Sequence, residues 1–376
     1  MVDIPAAGNG QVTKRFPKLK IKIIEVEGFE SVVEGIDTET NMHCYIAVHS
    51  TKLGPALGGT RIYPYKNPED ALDDVIRLAE AMTSKSAIAE VGLGGGKSVI
   101  IADPKKQKNS ALLHSFAEVI NYFQGNYISA EDIGTTTQDM AVMREVTPYI
   151  SCLATKQSSG DPSRFTAWGI FRGIQATLNN LYGSNSVKGK TVAIQGLGHV
   201  GSKLADYLFW HGANLIVTDV DQKKLDHVKH TYSAKVVPPN EIFGVDCDIF
   251  APCAMGGVIN PETISHFRCK GIAGGANNQL SSHADGQLIF EKEILYAPDF
   301  IINSGGLINA AMEFEADGYD PIQSRNKTDH IYNILTNIFD MSEREFKPTS
   351  LVADEIAEHN LKEKIGKRIE PIDFGH

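Results

Sequence analysis

Apolar and polar residues alternate through IKIIEVEGFE (residues 21–30). They do so again on both sides of the polar cluster Asp37–Asn41 in ESVVEGIDTETNMHCYIAVHS. A period of two predicts strand, turn and strand. The period then lengthens. In NPEDALDDVIRLAEAMTSKSA, Ala71, Leu72, Val75, Ile76, Ala79 and Met82 form one stripe at helical spacing. Asn67 can cap this helix, Pro68 fits its first turn, and Glu69 and Asp70 favour its positive end. A strand (KSVIIAD), a helix over about 109–124 and a strand (NYISA) follow, and Thr136 with Asp139 reads as a capping box opening a helix at about 137–145. SSGDPSRFTAWG is rich in small and turn residues and reads as a joint between domains. Beyond it, KTVAIQGLGHVG, NLIVTD, CDIFAPC, CKGIAGG and PDFIINSGG read as five short strands separated by helix-length segments, which predicts a doubly wound parallel sheet. The tail from about 322 to 365 reads as helical, and residues 1 to about 17 as loosely ordered.

The second half carries the clearest chemistry. GLGHVG (Gly196, Leu197, Gly198, His199, Val200, Gly201) follows the strand TVAIQ and opens a helix. That is the setting in which a G-x-G-x-x-G turn holds a dinucleotide pyrophosphate on helix N–H groups. Asp219 ends the next strand, where an acidic residue bonds the adenosine ribose hydroxyls. A carboxylate there repels a 2′-phosphate, so NAD is favoured over NADP.

Composition narrows the partners. With 36 basic and 46 acidic residues the net charge is -10, which argues against nucleic acid or an anionic membrane as partner. Five cysteines at irregular spacing, with no C-x-x-C pair, fit free thiols in a reducing compartment and no metal site. There is no apolar signal-peptide core and no run of about 18 apolar residues. The expectation is a soluble cytoplasmic protein, and 376 residues allow about two domains.

In the first half, VGLGGGKSVI nearly matches a phosphate-binding P-loop, but position 91 is Val91 where the first glycine belongs. A P-loop phosphotransferase is therefore disfavoured, and the glycines are expected to give clearance for substrate and nicotinamide. Lys97 ends that run, and Lys85 precedes it by twelve residues, at the end of the first helix. Two lysines brought together, or one lysine buried, give an amine able to act as a base near neutral pH. From spacing alone, Lys85 can equally face solvent at a frayed helix end. Asp132, in SAEDIGTT, can pair with such lysines or be a turn carboxylate.

GPALGGTR, MTSKSA, LGGGKSVI, SAEDIGTT, GDPSRFTAWG, APCAMGGVIN, GGANNQL and INSGGLINAAMEF occur in this order. Together, over about residues 20 to 360, they closely resemble the glutamate/leucine/phenylalanine/valine dehydrogenases. The resemblance implies an α/β chain of two domains. Residues 1–151 would be the substrate-binding and oligomerisation domain, with a C-terminal helix at about 348–376 packing back on it. Residues 152–347 would be the Rossmann NAD-binding domain. The implied reaction is reversible oxidative deamination of an L-amino acid to its 2-oxo acid and ammonium. In it Lys97 acts as general base, Asp132 handles protons on the substrate nitrogen, and Lys85 binds the carboxylate beside backbone at Gly58 and Gly59. The resemblance also places Thr166, Asn278 and Asn303 near the cofactor, and implies a homo-oligomer, an octamer or a dimer.

In the glutamate branch a lysine stands where this chain has Leu57, so the substrate side chain should be apolar. Ala130, Leu307 and Ala310 match the rest of the side-chain pocket. GPALGG and Ala130 look like the leucine and valine enzymes, whereas Leu307 looks closer to the phenylalanine enzymes. A branched aliphatic substrate, leucine first, is the expectation. An aromatic amino-acid dehydrogenase and a non-catalytic NAD-binding sensor are the competing readings.

Overall fold

A computed structural model describes residues 15–374. Most of the loosely ordered N-terminal stretch inferred above lies outside the described residues. The contacts divide the chain into two compact units, one of Met1–Asp161, Ala310–Pro321 and Glu358–His376, the other of Pro162–Asn309 and Ile322–Ala357.

The first unit is built on a mixed sheet of six strands: β1 (Leu19–Ile23), β2 (Ser31–Asp37), β3 (Met42–Ser50), β4 (Ala56–Tyr63), β5 (Gly94–Ile101) and β6 (Tyr127–Glu131). Their spatial order is β1-β2-β3-β5-β4-β6. The chain makes an antiparallel meander up to β3, and β4, β5 and β6 then run parallel to one another. Helix α1 (Pro68–Ala89) connects β4 to β5. The Asn67 side chain accepts from Asp70 N at 2.7 Å, a cap worth about 1 kcal/mol. The helical stripe does what its spacing predicts, since Ala71, Val75 and Ala79 are fully buried against Val32, Tyr45, Ala47 and Val99. Helix α2 (Ser110–Asn121) covers the other face, where a Cβ on Gly35 would lie 2.8 Å from Val119. Helix α3 (Thr137–Arg144) begins at the capping box of Thr136 and Asp139. Strand β5 starts at Gly94, so all three glycines before Lys97 are strand residues.

The second unit is a parallel sheet of β7 (Thr191–Gln195), β8 (Asn214–Thr218), β9 (Lys235–Val236), β10 (Ile249–Pro252), β11 (Gly271–Ile272) and β12 (Leu295–Tyr296), in the order β12-β11-β10-β7-β8-β9. The order turns back between β7 and β10, the switch point at which such sheets bind ligands. Helices α4 (Ser163–Tyr182) and α5 (His199–Trp210) pack against each other. The amphipathic helix Ile331–Glu345 buries Ile331 and Leu335 beside Gly169 and Gly173 of α4.

One expected strand is not a strand. PDFIINSGG folds as two helical pieces, Asp299–Ile302 and Gly305–Ala311, and the strand is the two-residue β12 just before it. Three consecutive apolar residues do not reveal their period, and the flanking proline and glycines read equally as strand ends. Those glycines instead admit a helix against α4. A Cβ on Gly305 would collide with the Phe165 carbonyl, and one on Gly306 would come within 2.6 Å of Thr166 Oγ1. Strand β9 was not expected, because two residues carry no readable pattern.

Candidate active site

Side chains alternate across the sheet of the first unit, so Leu57, Gly59 and Arg61 of β4, Lys97 of β5, and Ala130 with Asp132 at the end of β6 share one face. Lys97 Nζ lies 2.9 Å from Asp132 Oδ2, and the lysine side chain is 8% exposed. Arg61 Nε approaches the same oxygen at 3.3 Å. Behind it, Arg61 Nη1 donates to Asp74 Oδ2 at 2.8 Å, and the Tyr65 hydroxyl donates to that oxygen at 2.6 Å. A Cβ on Gly59 would lie 3.3 Å from Lys97 Nζ and 2.7 Å from Asp132 Cβ. Glycine is what lets the amine and the carboxylate meet there.

The charges work against one another. Burial pushes the Lys97 ammonium down; Asp132 opposes this, Arg61 reinforces it, and the net direction is down. Burial would raise Asp132, but Lys97 and Arg61 outweigh it and hold the carboxyl at about 2. The resting state is therefore an ion pair whose lysine gives up its proton more readily than a free one.

The glycine run is not clearance for a ligand. A Cβ on Gly94 would collide with the Ser50 carbonyl, and one on Gly95 with the backbone of Thr83 in α1. A Cβ on Gly96 would press on the Tyr127 ring at 3.0 Å. The glycines let this sheet close on its own backbone and side chains. Ser86 Oγ donates to the Gly94 carbonyl at 3.1 Å, so α1 is held directly over β5. Lys85, part-buried, lies between Thr83 and Ser86 on that segment. Leu57 is 1% exposed and Ala130 8%. Leu307 and Ala310 are buried on the helix Gly305–Ala311.

In the second unit, GLGHVG forms the turn from β7 into α5. Gly196 has φ 95°, and a Cβ there would lie 2.7 Å from that of Ala254. A Cβ on Gly201 would collide with the Gly196 carbonyl, which is the close strand-to-helix approach this motif requires. Gly198 caps α5 with no side-chain hydrogen bond, and around it is open space, so an anion can reach the helix amides. Leu197 is buried, Val200 part-buried and His199 exposed. Asp219 follows β8; its Oδ2 accepts Leu197 N at 2.5 Å and its Oδ1 accepts Asp221 N at 2.8 Å, which fixes the carboxylate. Gln195 Oε1, Thr218 Oγ1 and Asn303 Oδ1 are buried at the carboxyl ends of this sheet with no hydrogen-bond partner among the described residues. Asn303 Nδ2 donates to Asn277 Oδ1 at 2.8 Å, and Asn278 takes φ 51° to let its carbonyl accept Gly257 N. Thr166 Oγ1 donates to the Pro162 carbonyl at 3.1 Å. A turn with open amides, a fixed carboxylate and orphaned polar atoms fit NAD.

Comparison with known proteins agrees with this geometry. The family model for the Glu/Leu/Phe/Val dehydrogenase dimerisation domain matches residues 31–149, and that for glutamate/leucine/phenylalanine/valine dehydrogenase matches 215–357. The leucine dehydrogenase of Geobacillus stearothermophilus is 43% identical over 356 residues, covering 94% of this chain and 96% of that protein. The chain belongs to the glutamate/leucine/phenylalanine/valine dehydrogenase family. It is an NAD-dependent amino-acid dehydrogenase. The phenylalanine dehydrogenase of Lysinibacillus sphaericus is also 43% identical, over 326 residues, covering 85% of this chain and 84% of that one. Among solved structures, L-tryptophan dehydrogenase from Nostoc punctiforme superposes with a TM-score of 0.75 at 38% identity, over 90% of this chain and 97% of that one.

Two charged groups of this dehydrogenase escaped the sequence reading. Nothing in the spacing of GPALGGTR marks Arg61; only the fold shows it wedged between Asp132 and Asp74. Glu131 precedes Asp132 and points to the opposite face. Its Oε2 is buried and unpartnered among the described residues. Burial, then Asp161, Asp139 and Asp132, raise its carboxyl to about 7. A carboxyl raised above its unfolded value favours folding only while both states are protonated. Stability is therefore lost as pH rises from about 4.5 to about 7, and is level beyond. Glu131→Gln is expected to melt at a progressively higher temperature than the parent over that window. A constant difference from pH 4 to 8 would refute the assignment.

Proposed function

We propose that this protein catalyses reversible oxidative deamination of an apolar L-amino acid, leucine first, to the 2-oxo acid and ammonium. The observation that carries the reading is the buried Lys97–Asp132 pair at 2.9 Å, with Arg61 behind it. Leu57, buried and apolar, offers nothing to a side-chain carboxylate, which speaks against glutamate as substrate. Several leucine dehydrogenases at 41–43% identity favour leucine.

NAD, when bound, would supply the acceptor for the α-hydrogen of the amino acid as hydride, the oxidised substrate being an iminium. GLGHVG and Asp219 would hold it, with Thr166, Asn278 and Asn303 toward its reactive end. Lys85 and the Gly58–Gly59 backbone would take the α-carboxylate. Neutral Lys97 removes a proton from the water that attacks the iminium carbon. Asp132 then acts on the substrate nitrogen. Once Lys97 is neutral, the carboxylate has lost its main stabilising charge and becomes more basic, so one proton passes through the pair. The proton taken from water passes through the pair to the nitrogen, and the C–N bond breaks to release ammonia. The carbinolamine hydroxyl gives its proton back to the pair as the 2-oxo group forms, so that ammonia leaves as ammonium.

A panel of L-amino acids assayed for NADH formation tests the substrate. Leucine is expected to give the highest kcat/KM. A hundredfold preference for phenylalanine would move the protein to the aromatic reading, which the similarity to phenylalanine and tryptophan dehydrogenases keeps in view. NAD binding without turnover of any apolar amino acid would favour a sensor. No helix among the described residues is long and apolar enough to cross a membrane. We place the enzyme in the cytoplasm as a homo-oligomer, its first unit serving substrate binding and self-association and its second NAD binding. Mass measurement in solution tests the assembly.

A further inference from the structure

On the face of the first sheet opposite Lys97 lies a row of four hydroxyls that the mechanism does not use. Ser129 Oγ is 2.5 Å from Thr60 Oγ1, which is 2.8 Å from Ser98 Oγ. Ser98 Oγ is 2.9 Å from the Tyr127 hydroxyl, which is 2.9 Å from the Gly58 carbonyl oxygen. All four residues are 0% exposed. One direction of the chain satisfies both contacts of the Tyr127 hydroxyl. A carbonyl only accepts, so the single O–H of Tyr127 donates to Gly58. Tyr127 must then accept from Ser98, Ser98 from Thr60, and Thr60 from Ser129. Hydroxyls aligned in this way polarise one another and strengthen the bond to Gly58.

The chain ends where the sheet is interrupted. Strands β4 and β5 pair at Leu57↔Gly95 and resume only at Thr60↔Ser98, leaving Gly58 and Gly59 outside the ladder to β5. A Cβ on Gly58 would collide with the Gly96 carbonyl. The pair keeps its ladder to β6 at Gly58↔Ser129 and Gly59↔Ala130, but on the β5 side no backbone partner holds it, and glycine itself adds no side-chain restraint. The Tyr127 hydroxyl reaches into that gap, and the absence of a side chain on Gly96 makes room for its ring.

We propose that Tyr127, fed by Ser129, Thr60 and Ser98, is the positioning residue that fixes the Gly58–Gly59 peptide for the substrate carboxylate. This rests on the reading above that the glycine pair receives that carboxylate. Tyr127 lies on the sheet face opposite Lys97 and acts through the peptide it holds.

Tyr127→Phe removes the hydroxyl and keeps the ring. In the full-length enzyme it is expected to raise KM for L-leucine and Ki for the unreactive carboxylate 4-methylpentanoate together, by about fivefold, the worth of one neutral hydrogen bond. KM for NAD should not move. Thr60→Val breaks the chain two links away and should shift the same two constants in the same direction by about twofold; it carries the test if Tyr127→Phe does not fold. A lower melting temperature with unchanged KM and Ki would make the chain a packing device only and overturn the proposal. That result leaves the dehydrogenase reading standing. If the parent enzyme turns over no apolar amino acid, both fall.

Discussion

Lys97→Ala is expected to lower kcat by about three orders of magnitude, within the range found when a positioned general base is lost, and to leave KM for NAD unchanged. The lysine is 8% exposed, so bulk base reaches its position poorly. The neighbouring carboxylate, Asp132, loses Lys97 as a partner and becomes more basic in the variant, but Arg61 at 3.3 Å still holds it down, so it is a poor substitute for an amine near neutral pH. The fold should survive, because Asp132 keeps Arg61 as partner at 3.3 Å and is not left as an uncompensated charge. Small primary amines such as methylamine are expected to restore part of the rate, since the alanine leaves a hole lined by Gly59 and Asp132. A variant retaining a tenth of the parental kcat would remove Lys97 from the mechanism.

How much of this was legible in the sequence depended on whether a feature was local. The cap at Asn67, the stripe on α1, the Thr136 capping box and the GLGHVG turn are short-range patterns, and each appears where its spacing put it. Gly94, Gly95 and Gly96 show the opposite case. Their sequence says that something comes close, but not what, and the close neighbours are Ser50, Thr83 and Tyr127 from three other elements. Arg61 and Glu131 were invisible for the same reason. An arginine between two aspartates, or a carboxyl with a buried unpartnered oxygen, is a property of packing between strands, and spacing along one strand does not encode it. PDFIINSGG failed because an apolar triplet has no measurable period.

Asp132→Asn should be the second most damaging change, with kcat/KM down by about 10²–10³ through loss of a proton-transfer group. Its diagnostic value lies in two opposite pH effects. The Asp132 carboxylate raises Lys97 against burial and Arg61. Without it, Lys97 loses its proton at lower pH, so the pH at which kcat reaches half its maximum should move down in the variant, even as the maximum falls. Stability responds elsewhere on the scale. A carboxyl depressed from 3.8 to about 2 adds stability that is present above its unfolded value and lost as pH falls through the folded one. The parent should therefore lose on the order of 2 kcal/mol between about pH 4 and pH 2 that the asparagine variant does not lose. An aspartate with no proton-transfer role would show the acid-side stability change and the downward shift of the profile but keep the maximal rate. An upward shift of the profile would mean that the carboxylate, and not the lysine, is the base.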